Sequence, residues 1–368
     1  MRFAFYSAKM MRSMFRVVFV AALAASMSCR AMETLPPSAM EEPHTYRIEV
    51  LQVTDIAPYQ ESLDGFIRSL GDNGIVLGQN LAMNRVNIAS DVERGGFWNR
   101  LWVYLQVRSE AQRIVRARPD LVLTIGTSAT KYARRALDDA QIPVVFTAVA
   151  NPLEVGATSF RDAGPGVTGA TLYTDMADSL KIVKEIFPAV QKIGMVHTDD
   201  ENGVAHVQVA KMKAAGAGIT VSSRQVSKND GIVPSLKQLL EDGAGVQMFA
   251  VPLDTYYGLR NYEPARDLGD FGAEHDIPVI SFALVRMPGA MLYVGADFAA
   301  VGGLSAMQAV KILKRHMKPD VLPILKLDRP TVLIDPQRVA ALKLSLPASV
   351  LERKSQARDG FWEIGASK

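Results

Sequence analysis

The sequence predicts an α/β fold of two tandem lobes, each built on a parallel β-sheet. Short runs rich in β-branched and apolar residues alternate with amphipathic helical stretches from about residue 46 to about residue 320, the pattern that strands joined by crossover helices produce. The 368 residues are 48% hydrophobic and 21% charged, which is globular composition and enough apolar chain for two separate cores. One element also recurs: Gln141-Ile-Pro-Val-Val-Phe and Asp276-Ile-Pro-Val-Ile-Ser both read as helix end, proline-marked turn and buried strand.

In the first block, strands are expected at 46–53, 80–88, 121–125 and 144–148, with helices at 60–70, 97–118 and 129–140. The second block repeats the alternation with strands at 192–197, 219–226, 246–251 and 279–282 and helices at 177–187, 203–215, 232–241 and 261–275. Each block is about 120 residues, an ordinary domain size. Between them Gly164-Pro-Gly-Val-Thr-Gly169 interrupts the pattern and reads as a hinge crossing, which divides lobe 1 (46–166) from lobe 2 (167–295).

Residues 1–31 read as a signal peptide. Arg2, Lys9, Arg12 and Arg16 precede an apolar run over 17–25 that is too short to span a bilayer, and small residues follow at Ala24, Ala25, Ser26 and Ser28. Cleavage after Ser26, Ser28 or Ala31 fits equally. The single cysteine, Cys29, lies in this segment, so the folded part holds no intramolecular disulfide. Acylation of Cys29 would anchor the chain by lipid, but Ser26 stands where a leucine is expected; the alternative is a cysteine lost with the signal or left idle. Residues 32–45, short, polar and proline-bearing, read as a tether. The place expected for the mature chain is periplasmic or otherwise extracytoplasmic.

Net charge is +3, with 41 basic against 38 acidic residues and no long run of like charge in the folded part, which argues against a nucleic-acid partner. No HExxH, GxSxG, Walker A or clustered Cys/His pattern occurs, and the five histidines, His44, His197, His206, His275 and His316, are scattered. No catalysis, metal or cofactor is expected.

In doubly wound sheets ligands lie beyond the carboxyl ends of the strands, and two such sheets facing across a hinge enclose one cleft. Residues 121–130, Leu-Val-Leu-Thr-Ile-Gly-Thr-Ser-Ala-Thr, run from a buried strand into a helix. The free amides of that helix start, at Thr127, Ser128 and Ala129, suit a carboxylate; plain capping by Thr127 or Ser128 is the structural alternative. Asn151 before Pro152 ends the next strand, a turn signal whose side-chain amide would bond either a ligand or its own backbone. Strand-end loops of the second block place Glu201, Asn202, Asp254 and Thr255 on the cleft side, with Asp254 the candidate partner for a ligand amine. Among the aromatics near strand ends, Tyr59, Tyr173, Tyr256, Tyr257, Phe282 and Phe298, about two, with Tyr59 and Tyr173 the candidates, would stack on a flat ligand and the rest would pack in the cores or lie on the amphipathic surface.

These segments resemble the ABC-transporter substrate-binding proteins that include the tryptophan/tyrosine-type binding proteins of bacteria. The likeness covers about residues 46–347. It is carried by Thr127-Ser-Ala, Val145-Phe-Thr-Ala-Val-Ala-Asn-Pro, Gly166-Val-Thr-Gly, Ile193-Gly-Met-Val-His with Glu201-Asn202, Val251-Pro-Leu-Asp254, and Val294-Gly-Ala-Asp-Phe-Ala-Ala-Val-Gly302 leading into Ala309-Val-Lys-Ile-Leu. The resemblance implies a type I periplasmic-binding-protein fold: two Rossmann-like lobes with parallel sheets joined by a three-crossing hinge, 296–320 returning to lobe 1 and 321–368 to lobe 2. It also implies a small ligand in the cleft, with a membrane permease and its ATPase as partners. Thr147, Ser281 and Asp297 are counted with the candidate ligand contacts. The chain departs from the family pattern at Asn151-Pro152 for Asp-Pro, Gly203 after Glu201-Asn202 for serine, and Asp254-Thr255 for Asp-Asn. Losing a carboxylate at position 151 removes a partner for an ammonium group, so an amino acid, aromatic for preference, leads without excluding a less basic ligand.

The competing reading from another class is a sensory accessory protein that uses the same fold to report a ligand to a membrane receptor or signalling system. A Rossmann-type enzyme is disfavoured because Thr54-Asp-Ile-Ala-Pro-Tyr-Gln60, not a glycine-rich phosphate loop, follows the first strand.

Overall fold

The structure is a computed structural model that describes residues 44–88, 97–243, 245–285, 287–357 and 360–366. The expectations for the signal segment, Cys29 and most of the tether lie outside the described residues. The alternating pattern produces β1 (Tyr46–Gln52), α1 (Ala57–Asp72), β2 (Leu81–Asn87), α2 (Phe97–Ala117), β3 (Leu121–Ile125), α3 (Thr127–Asp139), β4 (Val144–Val149) and β5 (Val167–Thr171) in the first lobe. These strands form one parallel sheet in the order β2-β1-β3-β4-β5.

The second lobe contains α4 (Met176–Ile186), β6 (Lys192–His197), α5 (Glu201–Ala214), β7 (Thr220–Gln225), α6 (Val233–Glu241), β8 (Met248–Val251), α7 (Leu259–Glu274), β9 (Val279–Ser281) and β10 (Leu292–Gly295). Its parallel strands run β7-β6-β8-β9-β10, the same winding as the first sheet. The repeated Ile-Pro-Val element therefore supplies the fourth strand of each. Gln141 and Asp276, which precede it, both take left-handed backbone (φ 56° and 54°), the conformation that ends a helix and turns the chain back toward the sheet. Each sheet is buried on both faces. Val50, Leu123 and Val145 pack on one side of the first sheet and Leu51, Val122 and Val144 on the other, as continuous apolar strands in a parallel sheet require.

The chain changes lobe three times: between β5 and α4, between β10 and α8 (Phe298–Arg315), and between residue 325 and β11 (Thr331–Ile334). Helix α8 packs on α1 of lobe 1, where Gly65 and Gly302 let the two backbones touch. A Cβ on Gly302 would collide with the Ser62 carbonyl oxygen, and one on Gly65 with that of Ala299.

Two expected boundaries are corrected. The glycines at 164–169 do not mark a crossing: the chain stays in lobe 1 through β5, which pairs with β4, and Gly169 is small because its Cα lies against the Phe146 backbone. The return to lobe 2 begins after residue 325 rather than at 321, since Leu325 still bridges Ala170 and the Leu325 amide donates to the Gly169 carbonyl at 2.9 Å. The second sheet also gains strands that the periodicity did not reveal, the antiparallel β11, β12 (Lys354–Gln356) and β13 (Trp362–Ile364), added beyond β10 with α9 (Pro336–Ala341) and α10 (Ala348–Leu351) between them. No described helix is long and apolar enough to cross a membrane.

Candidate ligand-binding site

The carboxyl ends of both sheets face one interlobe cleft, which holds two adjoining cavities. The first, of about 150 Å³, is polar; its wall includes Thr54 beyond β1, Gly126–Ala129 at the start of α3, Asp199–Asn202 beyond β6, Lys228 beyond β7 and Thr255 beyond β8. The second, of about 300 Å³, is mainly apolar and includes Ala148, Leu172, Tyr257, Tyr262, Val285 and Phe298. Tyr59, Asn202 and Thr255 belong to both walls.

Helix α3 begins straight from the buried strand β3, with Gly126 at the N-cap in left-handed backbone (φ 86°) and no side chain capping the first turn. The orphan amides of that turn therefore open into the polar cavity, which the positive end of the helix makes attractive to an anion. The capping alternative for Thr127 and Ser128 is not what the structure has. The Thr127 hydroxyl donates instead toward the Asn202 amide oxygen at 3.4 Å, and Ser128 is exposed on the cavity wall. Tyr59 places its hydroxyl against Gly126. Among the described residues that hydroxyl has no hydrogen-bond partner, and burial, with a smaller contribution from Asp200, holds its pKa well above the usual phenol value.

Helix α5 faces α3 from the other lobe, but its first turn is satisfied by its own chain. Asp200 accepts from the Asn202 and Gly203 amides at 3.0 and 3.4 Å and from the Thr255 hydroxyl at 3.0 Å. Lys228 lies 4.0 Å from the same carboxylate, with both side chains mostly buried. Of the facing helix starts, the one with unclaimed amides is α3.

Asp254 sits differently from the open-loop position expected of it. It is buried, and its carboxylate accepts from the Thr198 amide at 2.6 Å, the Thr198 hydroxyl at 3.0 Å and the Tyr256 amide at 2.9 Å. Burial, and then the neighbouring Asp200 charge, push its pKa up to about 6. Gly203 presses against it so closely that a Cβ there would lie 2.5 Å from Oδ2, which gives a physical reason for glycine where the family pattern has serine. Glu201 is also engaged: it pairs with Lys131 at 3.0 Å.

The expected residues thus divide. Tyr59, Thr127, Ser128, Ala129, Glu201, Asn202 and Thr255 come together around the polar cavity, and Asp254 borders the apolar one. Thr147, Asn151, Tyr173, Ser281 and Asp297 line neither. Thr147 bonds Ser62 at 2.7 Å in the lobe 1 core, and Asn151 caps the turn Pro152–Val155. Ser281 bonds the Ala283 carbonyl at 2.7 Å, Asp297 caps α8, and Tyr173 packs on Phe160 with ring centroids 4.3 Å apart. Of the other aromatics, Tyr257 and Phe298 reach the apolar cavity. The Tyr256 hydroxyl donates to the Asp230 carbonyl at 2.7 Å, and Phe282 meets His206 edge-on. His206 accepts from the Leu253 amide at 2.9 Å, and burial lowers its pKa to about 4.

Sequence reasoning missed Arg100, Tyr132 and Lys228 in the polar wall and Asn261 and Tyr262 in the apolar one. Lys228 follows β7, so the strand-end rule applied to that strand would have found it. Asn261 and Tyr262 owe their place to a backbone feature with no sequence signal: Arg260, Asn261 and Tyr262 are consecutively left-handed (φ 48°, 53° and 63°). Each such non-glycine residue costs about 1–2 kcal/mol, and strain of this kind concentrates at binding sites.

The profile of the ABC transporter substrate binding protein family matches residues 47–358. A tyrosine-binding protein of Clostridioides difficile (strain R20291) is 24% identical over 300 residues, which is 81% of each chain. A Streptococcus pneumonia ABC domain in complex with L-Trp superposes with a TM-score of 0.68 at 20% identity, covering 84% of this chain and 98% of that one. The ligand-free, open structure of a Clostridium difficile substrate-binding protein with adhesive properties gives 0.65 at 22%, covering 82% and 96%. At these identities the solved structures speak for the fold, which is the type I periplasmic-binding-protein fold. With the family profile spanning most of the chain and both lobes, the protein belongs to the ABC transporter substrate-binding proteins, which bind a ligand and do not transform it.

Proposed function

We propose that this chain is the extracytoplasmic binding component of an ABC uptake transporter, and that it takes up an amino acid with an aromatic or large apolar side chain. Its partners on this reading are a membrane permease and the ATPase that drives it. The observation that carries the ligand class is the uncapped first turn of α3 facing the cleft, joined to an apolar cavity through the shared wall of Tyr59, Asn202 and Thr255. The carboxylate lies on the amides of Thr127–Ala129 with the Tyr59 hydroxyl beside it. The ammonium lies toward Asp200, whose cationic neighbour Lys228 stands 4.0 Å away, farther than the partners of Asp199 and Glu201 in the same wall. The side chain fills the apolar cavity against Leu172, Tyr257 and Phe298. Asp254 supports this wall from behind and does not touch the amine.

A thermal-shift screen of the purified protein against amino acids and small organic acids tests the reading, since a ligand that binds only the folded form raises the melting temperature. The expected outcome is a rise with aromatic or large aliphatic amino acids and none with their decarboxylated amines. A rise with the amines alone would overturn the placement of the carboxylate.

A further inference from the structure

Two ion pairs cross the cleft at its polar end. Arg100 of α2 reaches Asp199 at 2.8 Å, and Lys131, one turn into α3, reaches Glu201 at 3.0 Å. Both cations belong to lobe 1 and both anions to the segment that leads into α5 of lobe 2. Between them the Thr127 hydroxyl donates to Asn202. Arg100, Asp199 and Glu201 also line the polar cavity, so the pairs sit at the rim of the ligand space and not at the hinge. A lobe rotation that opened the cleft would separate both pairs at once.

We propose that Arg100–Asp199 and Lys131–Glu201 are positioning pairs: an ionic latch that holds the lobes closed and makes closure depend on ionic strength. The assignment rests on reading this cleft as the binding site, and it gives Glu201 a task other than ligand contact. The groups are partly exposed, 52% and 41% for the first pair and 34% and 45% for the second, so each shifts the open-to-closed ratio by a factor of about two to five. Acting together they shift it by about tenfold, enough to move a balanced population nearly to one side. Because a latch on both lobes acts whether or not a ligand is present, it stabilises the closed form without choosing among ligands.

Small-angle scattering of the purified protein, with no ligand added, separates this proposal from the ligand reading. In low salt the wild type should show a smaller radius of gyration than Arg100→Gln/Lys131→Gln, which removes both pairs without adding like-charge repulsion, and raising the salt to about 0.5 M should expand the wild type while leaving the double variant unchanged. The exchange variant Arg100→Glu/Asp199→Arg, which restores an ion pair of opposite sense, should recover the compact form relative to Arg100→Glu alone. Equal radii for the wild type and Arg100→Gln/Lys131→Gln in low salt, or no recovery in the exchange variant, would overturn the latch and leave the ligand assignment standing on its own titration.

Discussion

At Asp254 the structure gives the carboxylate other partners than the ligand amine that its residue type suggests. An acidic residue ending a strand of the second lobe reads as an amine partner, yet its oxygens are taken by the Thr198 amide and hydroxyl and the Tyr256 amide. Asp254→Ala should therefore destabilise the fold by about 2–3 kcal/mol, because buried donors lose a charged acceptor, and denaturant unfolding will show it. Unchanged stability with lost ligand affinity would return Asp254 to the ligand. Its pH behaviour follows from its raised pKa. Between about 4 and 6 the folded protein binds the proton that the unfolded chain has released, so this group's stabilisation is complete at low pH and is lost as pH rises through about 6. His206, lowered to about 4, has the opposite sign, and its contribution is lost as pH falls. The two oppose each other over the same window. Asp254→Ala should consequently show a steeper rise of melting temperature from pH 4 to 6.5 than the wild type, and an equal or shallower rise would contradict the assignment.

Elements were more legible than residues. Strands β1, β3, β4 and β6 and helices α2 to α6 emerge within a few residues of where the periodicity puts them, because a parallel sheet makes its strands continuously apolar and its helices amphipathic. β5 was misread because Gly166 and Gly169 look like hinge punctuation, whereas Gly169 serves close strand packing. The last strands, β11 to β13, are only three or four residues long, too short for a period of two to register. The site was half legible: strand-end loops located the cleft, but which polar groups are spent on their own backbone depends on neighbours brought from distant segments, as Thr198 is brought to Asp254. The contact of α1 with α8 makes its own prediction. Gly302→Ala, an ordinary change on an open helix, should cost about 1–3 kcal/mol here because the helices must separate. Equilibrium unfolding in urea measures it, and a neutral or stabilising effect would show that the helices have room to part.

At the scale of the whole molecule, the same winding appears twice and brings the carboxyl ends of two sheets onto one cleft, so that the free amides of α3 meet a wall built by the other lobe. Three crossings join the lobes, and ligand binding across the cleft should favour the closed arrangement. Central to this arrangement is a carboxylate held by the first turn of α3. Calorimetric titration of the purified protein with the aromatic or large aliphatic amino acid that raises its melting temperature most, compared with the carboxamide of the same amino acid, tests that most directly. The amino acid should bind at one site per chain, with its carboxamide weaker by at least about tenfold because the anion is gone. A carboxamide that binds as tightly as its parent acid would contradict it.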